Sequence, residues 1–190
     1  MPSPQTLSEA DRRIVAAWAA ECADHVLALF EAEAPEDSRP RDAIARLRAF
    51  ARGELGVREA RRGSAAHAAA RDVRAPAAAA AARAAAQAAS IPHMGAHALG
   101  AAAYAAKAAG LAAPDLPQAI SKEIRWQLAR MPAAARTAVQ KLPPVGANSS
   151  GPLGPGLLAS GLLGTIIRDL QASLTDHPNP LPQETPKPLR

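Results

Sequence analysis

The sequence predicts an all-α fold: a compact bundle or short stack of about six to seven antiparallel helices, with a C-terminal helix and a disordered tail. The chain has 190 residues, which suits one domain with one core. About 50 residues are alanine, and aromatic residues make up only 3%. Alanine, leucine, arginine and glutamate favour helix, whereas the β-branched and aromatic residues typical of strands are scarce. A fold rich in strands is therefore disfavoured.

The first helix is predicted to begin at Ser8 as its N-cap, with Asp11 at the third helical position. It should continue as one helix to Glu33 or Ala34, because Pro35 disfavours helical backbone before it. Apolar residues at offsets of three and four predict its buried face: Ile14, Val15, Trp18, Cys22, Val26, Leu29 and Phe30.

Cys22 is the only cysteine, so the chain has no disulfide framework and no zinc or iron–sulfur site built from cysteines. Its place in the apolar face predicts a small buried residue rather than a nucleophile.

The next helices are marked by their prolines. The second has Pro40 in its first turn, is capped by Ser38 or Asp37 and ends near Gly53. A third is predicted over residues 57–74, and a fourth runs from Pro76 to Ala89. The only polar side chains of this fourth helix are Arg83 and Gln87, four residues apart.

Three further helices complete the bundle. Pro92 opens the fifth, from His93 to Lys107. Asp115 caps the sixth, and Pro132 separates it from a short seventh helix that ends near Lys141. The short connections between these helices indicate that successive helices pack antiparallel.

The chain thus divides into an alanine-rich helical domain over residues 8–142 and a C-terminal part. Proline, glycine, asparagine and serine predict a flexible linker over residues 143–156. Leu158, Leu162, Ile166 and Leu170 predict an amphipathic helix over residues 157–175, which packs back on its own bundle or on a partner. Residues 176–190 are rich in proline and are expected to be disordered.

The net charge of +5 is unevenly distributed. Residues 1–34 hold six acids and two arginines, whereas residues 35–74 hold ten arginines and six acids. We expect the two segments to neutralise one another within one fold; the alternative is that they steer a charged partner.

Arginines in the basic segment would form the phosphate-facing stripe of a nucleic-acid-binding protein: Arg39, Arg41, Arg46, Arg48, Arg52, Arg58, Arg61 and Arg62. Acids at Asp42, Glu54 and Glu59 interrupt the stripe, and no aromatic side chains are interleaved for base stacking. Nucleic acid is therefore a disfavoured partner.

His93 and His97 are four residues apart, a spacing that places both on one face of a helix and can chelate a metal, with His67 as a third ligand. No glutamate follows His93, so we expect neither a metal nor another cofactor. Nucleotide-binding and acyl-transfer motifs are missing as well, and no catalytic residue is assigned. No apolar run approaches the length of a membrane span, and the N-terminus does not resemble a signal sequence, which predicts a cytoplasmic protein with no membrane partner.

Three segments together resemble the immunity-protein-five-like family, helical immunity proteins found near bacterial polymorphic toxins. They are RPRDAIARLRAFARGE at residues 39–54, AAHAAAR at residues 65–71 and HMGAHALGAAAYAAKA at residues 93–108. The order of the segments and the preceding Trp18 and Phe30 fit as well, and the resemblance covers roughly residues 8–130.

The resemblance implies an all-α protein that binds and neutralises a cognate toxin domain. Our leading hypothesis is that it does so without catalysing a reaction. Carried over position by position, its polar residues are Arg39, Arg41, Arg48, Glu54, His67, Arg71, His93, His97, Tyr104 and Lys107. Such a group is either a buried polar network that fixes helix register or a shared cleft for a small anionic ligand or a toxin side chain. The alternative function is a small-molecule-binding protein or helical enzyme that uses a His/Arg/Tyr cleft.

Overall fold

The computed structural model describes residues 3–61 and 65–176, and this part of the chain contains helices and no strands. The α-helices are α1 (Glu9–His25), α2 (Leu27–Glu31), α3 (Arg39–Ala51), α4 (Val57–Arg61), α5 (Ala66–Asp72), α6 (Pro76–Ala88), α7 (His97–Leu111), α8 (Leu116–Ala129), α9 (Ala133–Gln140) and α10 (Gly161–Asp176). A 3₁₀ turn, Leu157–Ala159, precedes α10. The predicted all-α fold is confirmed. No helix within the described ranges combines the length and the apolar character that crossing a membrane requires.

The centre of the bundle is α7, which packs against α1, α6, α8 and α10. Nearly every residue of α7 from Ala98 to Ala106 is buried, and the facing residues of α6 are buried alanines. Small side chains let the two helix backbones approach closely. At Gly100 the space is so limited that an added Cβ would lie 2.6 Å from Gln87 Oε1 and 3.0 Å from Leu158 Cδ1.

Most helix starts agree with the predicted caps. Ser8 Oγ accepts the N–H of Asp11 at 3.0 Å, and the Asp115 side chain accepts the N–H of Gln118 at 3.0 Å. Pro76 stands in the first turn of α6, where the missing N–H costs no helical hydrogen bond.

The first predicted helix is wrong in two respects. It is broken at Val26 (φ −109°, ψ 1°), so that α1 and α2 are separate helices. Ile14, predicted to be buried, is 36% exposed, whereas Val15, Trp18 and Cys22 are buried. Successive residues are rotated by about 100° around a helix axis, and Ile14 falls outside the arc centred on those three residues.

The predicted helix over residues 57–74 is also wrong, because Ala65 is not helical (φ −102°, ψ 11°) and separates α4 from α5. The predicted start of the fifth helix at His93 is four residues too early. The N–H groups of Gly95 and Ala96 donate to the carbonyls of Thr6 and Gln5, both at 3.0 Å. These long-range hydrogen bonds hold residues 92–96 in turns, and α7 begins at His97.

The predicted linker, residues 143–156, contacts the helical domain. Leu153 is fully buried and its N–H donates to Gln5 Oε1 at 2.9 Å, while Gln5 Nε2 donates to the Ser150 carbonyl at 2.7 Å. These contacts tie the segment to the N-terminus of the chain.

The C-terminal helix α10 packs back on its own bundle, against α7 and α9. Its buried residues are Leu163, Ile166, Ile167, Leu170 and Leu174. The prediction that Leu162 faces inward is wrong, since Leu162 is 36% exposed and its neighbour Leu163 is buried instead. The predicted disordered tail lies, from residue 177 onward, outside the described residues.

Candidate functional site

Four of the predicted site residues lie on neighbouring parts of the bundle. We define the imidazole cluster as His67 on α5, His93 in the turn before α7, and His97 and Tyr104 on α7. The ring centroids of His93 and His97 are 6.4 Å apart, although His93 is not helical. Tyr104 follows His97 by seven residues, which is two helical turns, and therefore lies on the same face of α7.

His97 is fixed by a neighbour on α6. Its Nδ1 lies 2.7 Å from Gln87 Oε1. An amide oxygen only accepts, so the Nδ1–H of His97 donates and Nε2 remains as the acceptor of the ring. Burial lowers the pKa of His97 to about 4, and the nearby charges of His93 and His67 act in the same direction. The His97 ring is therefore neutral at pH 7.

The charge of Arg83 on α6 acts on both His67 and Tyr104. Burial lowers the pKa of His67, and the positive charges of Arg71 and Arg83 lower it further. The same Arg83 charge acts on Tyr104, where it partly opposes the increase in phenol pKa that burial causes. Tyr104 is only 2% exposed, whereas His67 and His93 are exposed. The cluster thus combines a buried phenol with two exposed imidazoles.

Within the described residues, every charge that shifts the pKa of His67, His97 or Tyr104 is cationic or an imidazole. In the same part of the chain, neither Arg71 nor Arg83 takes part in an ion pair with a carboxylate. The cluster is therefore an electropositive site whose cations have no acidic partner in the described part of the protein.

The predicted site arginines of α3, unlike Arg71 and Arg83 in the described ranges, form ion pairs with carboxylates. Each is held by acids of the same chain: Arg39 by Asp37 and Asp72 at 2.6 Å each, Arg41 by Glu31 at 2.6 Å, and Arg48 by Asp24 at 3.0 Å. These pairs join α3 to α1, α2 and α5, as expected if the acidic and basic segments neutralise one another. The α3 arginines are thus occupied by contacts that hold the bundle together.

The remaining predicted residues are divided between the two regions. Glu54 pairs with Arg52 at 2.6 Å in the turn after α3. Arg71 belongs with the cluster, because it lies one turn after His67 on α5 and acts on its pKa. Lys107 lies one turn after Tyr104 on α7 and is half-buried.

Sequence reasoning missed two members of this site, Arg83 and Gln87. A signal for them exists: they are the only polar side chains in α6, they are four residues apart, and therefore they share one helix face. In a helix made otherwise of alanine and proline, such a polar pair indicates which face of the helix contacts the site.

A second polar network was not predicted and lies between α1 and α8. Glu123 is 5% exposed, and one of its oxygens lies 2.9 Å from His25 Nδ1. Gln127 Nε2 donates to Glu123 Oε1 and to the Ala102 carbonyl, both at 3.1 Å, and Trp18 Nε1 donates to the Gln127 carbonyl at 2.9 Å. These bonds fix the register of α8 against α1 and α7. The available signal was polar residues on the inner, apolar face of a helix.

No set of three or more histidine, cysteine or carboxylate side chains in the described ranges is arranged to hold a metal ion. The imidazole cluster instead offers N–H donors, a phenol and guanidinium groups, which together suit an oxyanion such as a carboxylate.

Comparison with known proteins gives one match. A family model described as Imm-5 like putative immunity protein matches residues 5–134. No curated protein and no solved structure matches the chain significantly. The matched region contains the whole imidazole cluster and the network between α1 and α8, and it ends before the 3₁₀ turn and α10.

Proposed function

Because the chain belongs to the Imm-5 like putative immunity protein family, we propose that it binds a cognate bacterial toxin domain and neutralises it without catalysing a reaction. In this proposal the protein covers the active site of the toxin with a preformed, charged surface. Complementary charge speeds the encounter and fixes the orientation of the two proteins.

The observation that carries the proposal is the contrast between two groups of cations. The α3 arginines Arg39, Arg41 and Arg48 are paired with acids of the chain itself. Arg71 and Arg83, together with the exposed imidazoles, have no carboxylate partner in the described part of the protein. Cations on α5 and α6 that have no acidic partner in the described residues support a binding surface for a negatively charged region of another protein.

The proposal is tested by producing this chain together with the toxin domain encoded beside its gene. We expect the wild-type chain to restore growth and to elute with the toxin domain as one complex. His67→Ala combined with Arg71→Ala, both at exposed positions, should weaken the complex and the protection. Arg41→Ala is the matched control, because Arg41 is an exposed arginine that already has an internal partner. Toxicity that persists in the presence of folded wild-type chain, with no complex, would refute the proposal.

A second candidate function is binding of a small anionic ligand. His67 and His93 lie near His97, on the face of α7 that also carries the nearly buried Tyr104, and this arrangement favours a site for a small molecule. An anion that occupies the site should raise the melting temperature of the protein. Substituting His67 and His93 by alanine should abolish that increase, and an unchanged increase in the double variant would eliminate this candidate.

A further inference from the structure

Two of the most exposed apolar side chains lie at the start of the C-terminal segment. Leu157 in the 3₁₀ turn is 68% exposed and Leu162 at the start of α10 is 36% exposed. The third large apolar side chain of the described residues that is exposed to this degree is Ile14 on α1. The exposed Leu157 side chain contributes little to the stability of the fold, because a leucine is stabilising only where it is removed from water.

The backbone around Leu157 is held in place by its neighbours. Leu158, the next residue, is buried, and so are Leu163 and Ile166 in the first turns of α10. Gly161 joins the two helical pieces in the left-handed region (φ +52°), which other residues rarely adopt. A side chain presented by a fixed backbone loses less entropy on binding than one on a flexible loop.

The 3₁₀ turn borders the imidazole cluster. A Cβ built on Gly100 would be 3.0 Å from Leu158 Cδ1 and 2.6 Å from Gln87 Oε1, so these two side chains meet over the same point of α7. Gln87 Oε1 in turn accepts the hydrogen bond from His97. The residue next to Leu157 therefore packs against the side chain that holds His97.

We propose that Leu157 and the imidazole cluster form one recognition surface, and that its occupant is a carboxylate side chain of the toxin domain flanked by an apolar residue. This inference rests on the proposed function and names the chemistry of the partner. Arg71, Arg83 and the imidazoles supply donors for the carboxylate, and Leu157 packs against the apolar neighbour. Interfaces that bind tightly commonly combine a desolvated charge contact with an adjacent apolar contact.

The recognition surface has two parts of different origin. The cluster belongs to the region that the family model matches, residues 5–134, whereas Leu157 lies beyond it. The matched region provides the charge contact. The C-terminal segment adds an apolar contact outside that region, and this contact contributes to the choice of one toxin over others.

Calorimetric titration of the toxin domain encoded beside this gene into the full chain tests the apolar half of the surface. Leu157→Asp should weaken binding by about tenfold or more, because it places a charge against an apolar contact and beside the carboxylate of the toxin. Leu157→Met, which keeps the apolar contact, should bind like the wild type. Ile14→Asp is the control for introducing an exposed aspartate at another exposed apolar position. Circular dichroism confirms that each variant is folded.

The charged half is tested with Arg83→Gln. It should weaken binding and reduce the dependence of affinity on salt, whereas Arg41→Gln, which removes a cation already paired with Glu31, should do neither. A wild-type chain that binds the toxin domain while Leu157→Asp binds equally well overturns this inference and leaves the proposed function intact. A wild-type chain that does not bind refutes both. Acetate, a free carboxylate, should compete with the toxin domain for the cluster. Acetate or inorganic phosphate that stabilises the chain without weakening toxin binding would place the anion site apart from the toxin-binding surface and would overturn the inference.

Discussion

Acidification should destabilise the protein through His97, and the size of the effect follows from its surroundings. The pKa of His97 is about 4 in the folded protein and 6.5 when the ring is free in water. Between these values the unfolded chain binds a proton that the folded chain does not. The free energy of unfolding therefore falls as the pH falls from 6.5 toward 4, and it is unaffected by this group above that range. At about 1.4 kcal/mol per pH unit the loss is about 3 kcal/mol.

Urea denaturation of the wild type and of His97→Gln, followed by circular dichroism near pH 7 and near pH 4.5, measures this loss. The wild type should lose about 2 to 3 kcal/mol more than the variant over this interval, because glutamine does not titrate. Parallel losses in the two proteins, or an NMR titration midpoint of the His97 ring near its free value, would refute the reasoning.

Gln87→Glu should reduce the loss of stability on acidification and is the sharpest control. The substitution places a carboxylate at the position of Gln87 Oε1, which lies 2.7 Å from His97 Nδ1. A negative charge at that distance favours the protonated ring and raises the pKa of His97. The variant should therefore lose less stability than the wild type on acidification, and a midpoint that stays near 4 would contradict the assignment of Gln87 as its partner.

Three further substitutions test the packing that positions the site. Gly100→Ala should lower the free energy of unfolding, measured by urea denaturation, by about 1–3 kcal/mol, because the added Cβ would lie 2.6 Å from Gln87 Oε1. An unchanged denaturation midpoint would contradict the close approach of α6 and α7. Leu153→Ala should cost about 2–5 kcal/mol in the same assay, since Leu153 is fully buried, and a cost near zero would mean that the segment over residues 143–156 does not pack on the domain. Trp18→Phe should cost about 1–3 kcal/mol by leaving the buried Gln127 carbonyl without its donor, and a neutral result in thermal denaturation would exclude a structural role for that bond.

The sequence predicted those helix starts that depend on local chemistry. Ser8 and Asp115 cap their helices with their own side chains, and Pro76 restricts its own backbone, so each signal lies within a few residues of the start. The start of α7 depends instead on carbonyls of Gln5 and Thr6, about 90 residues earlier in the chain. No periodicity around His93 contains that information, which explains why the predicted helix began too early.

The candidate site shows the same division. The resemblance grouped its imidazoles with Tyr104, and the bundle places His67 and His93 near His97. The α3 arginines were grouped with them on equal terms, because a sequence does not show whether a basic residue has an acidic neighbour in space. Arg39 meets Asp72, which is 33 residues away, and only the packing of α3 against α5 creates that ion pair.

The alanines explain why the polar residues of α6 and α7 lie at one edge of this pair of helices. Two helices that pack through methyl groups come so close that a longer side chain has no room between them, as the contacts around Gly100 illustrate. The longer polar side chains therefore lie at the rim of the interface and not at its centre. They are Arg83 and Gln87 on α6, and His97 and Tyr104 on α7. Positive charge at such a margin faces solvent unless an acid of another helix or of another molecule pairs with it. Helices α1 and α2 supply such acids to α3, and no helix of the described chain supplies one to Arg83. This is the physical reason to look for the partner of the protein at the imidazole cluster rather than along the more arginine-rich α3.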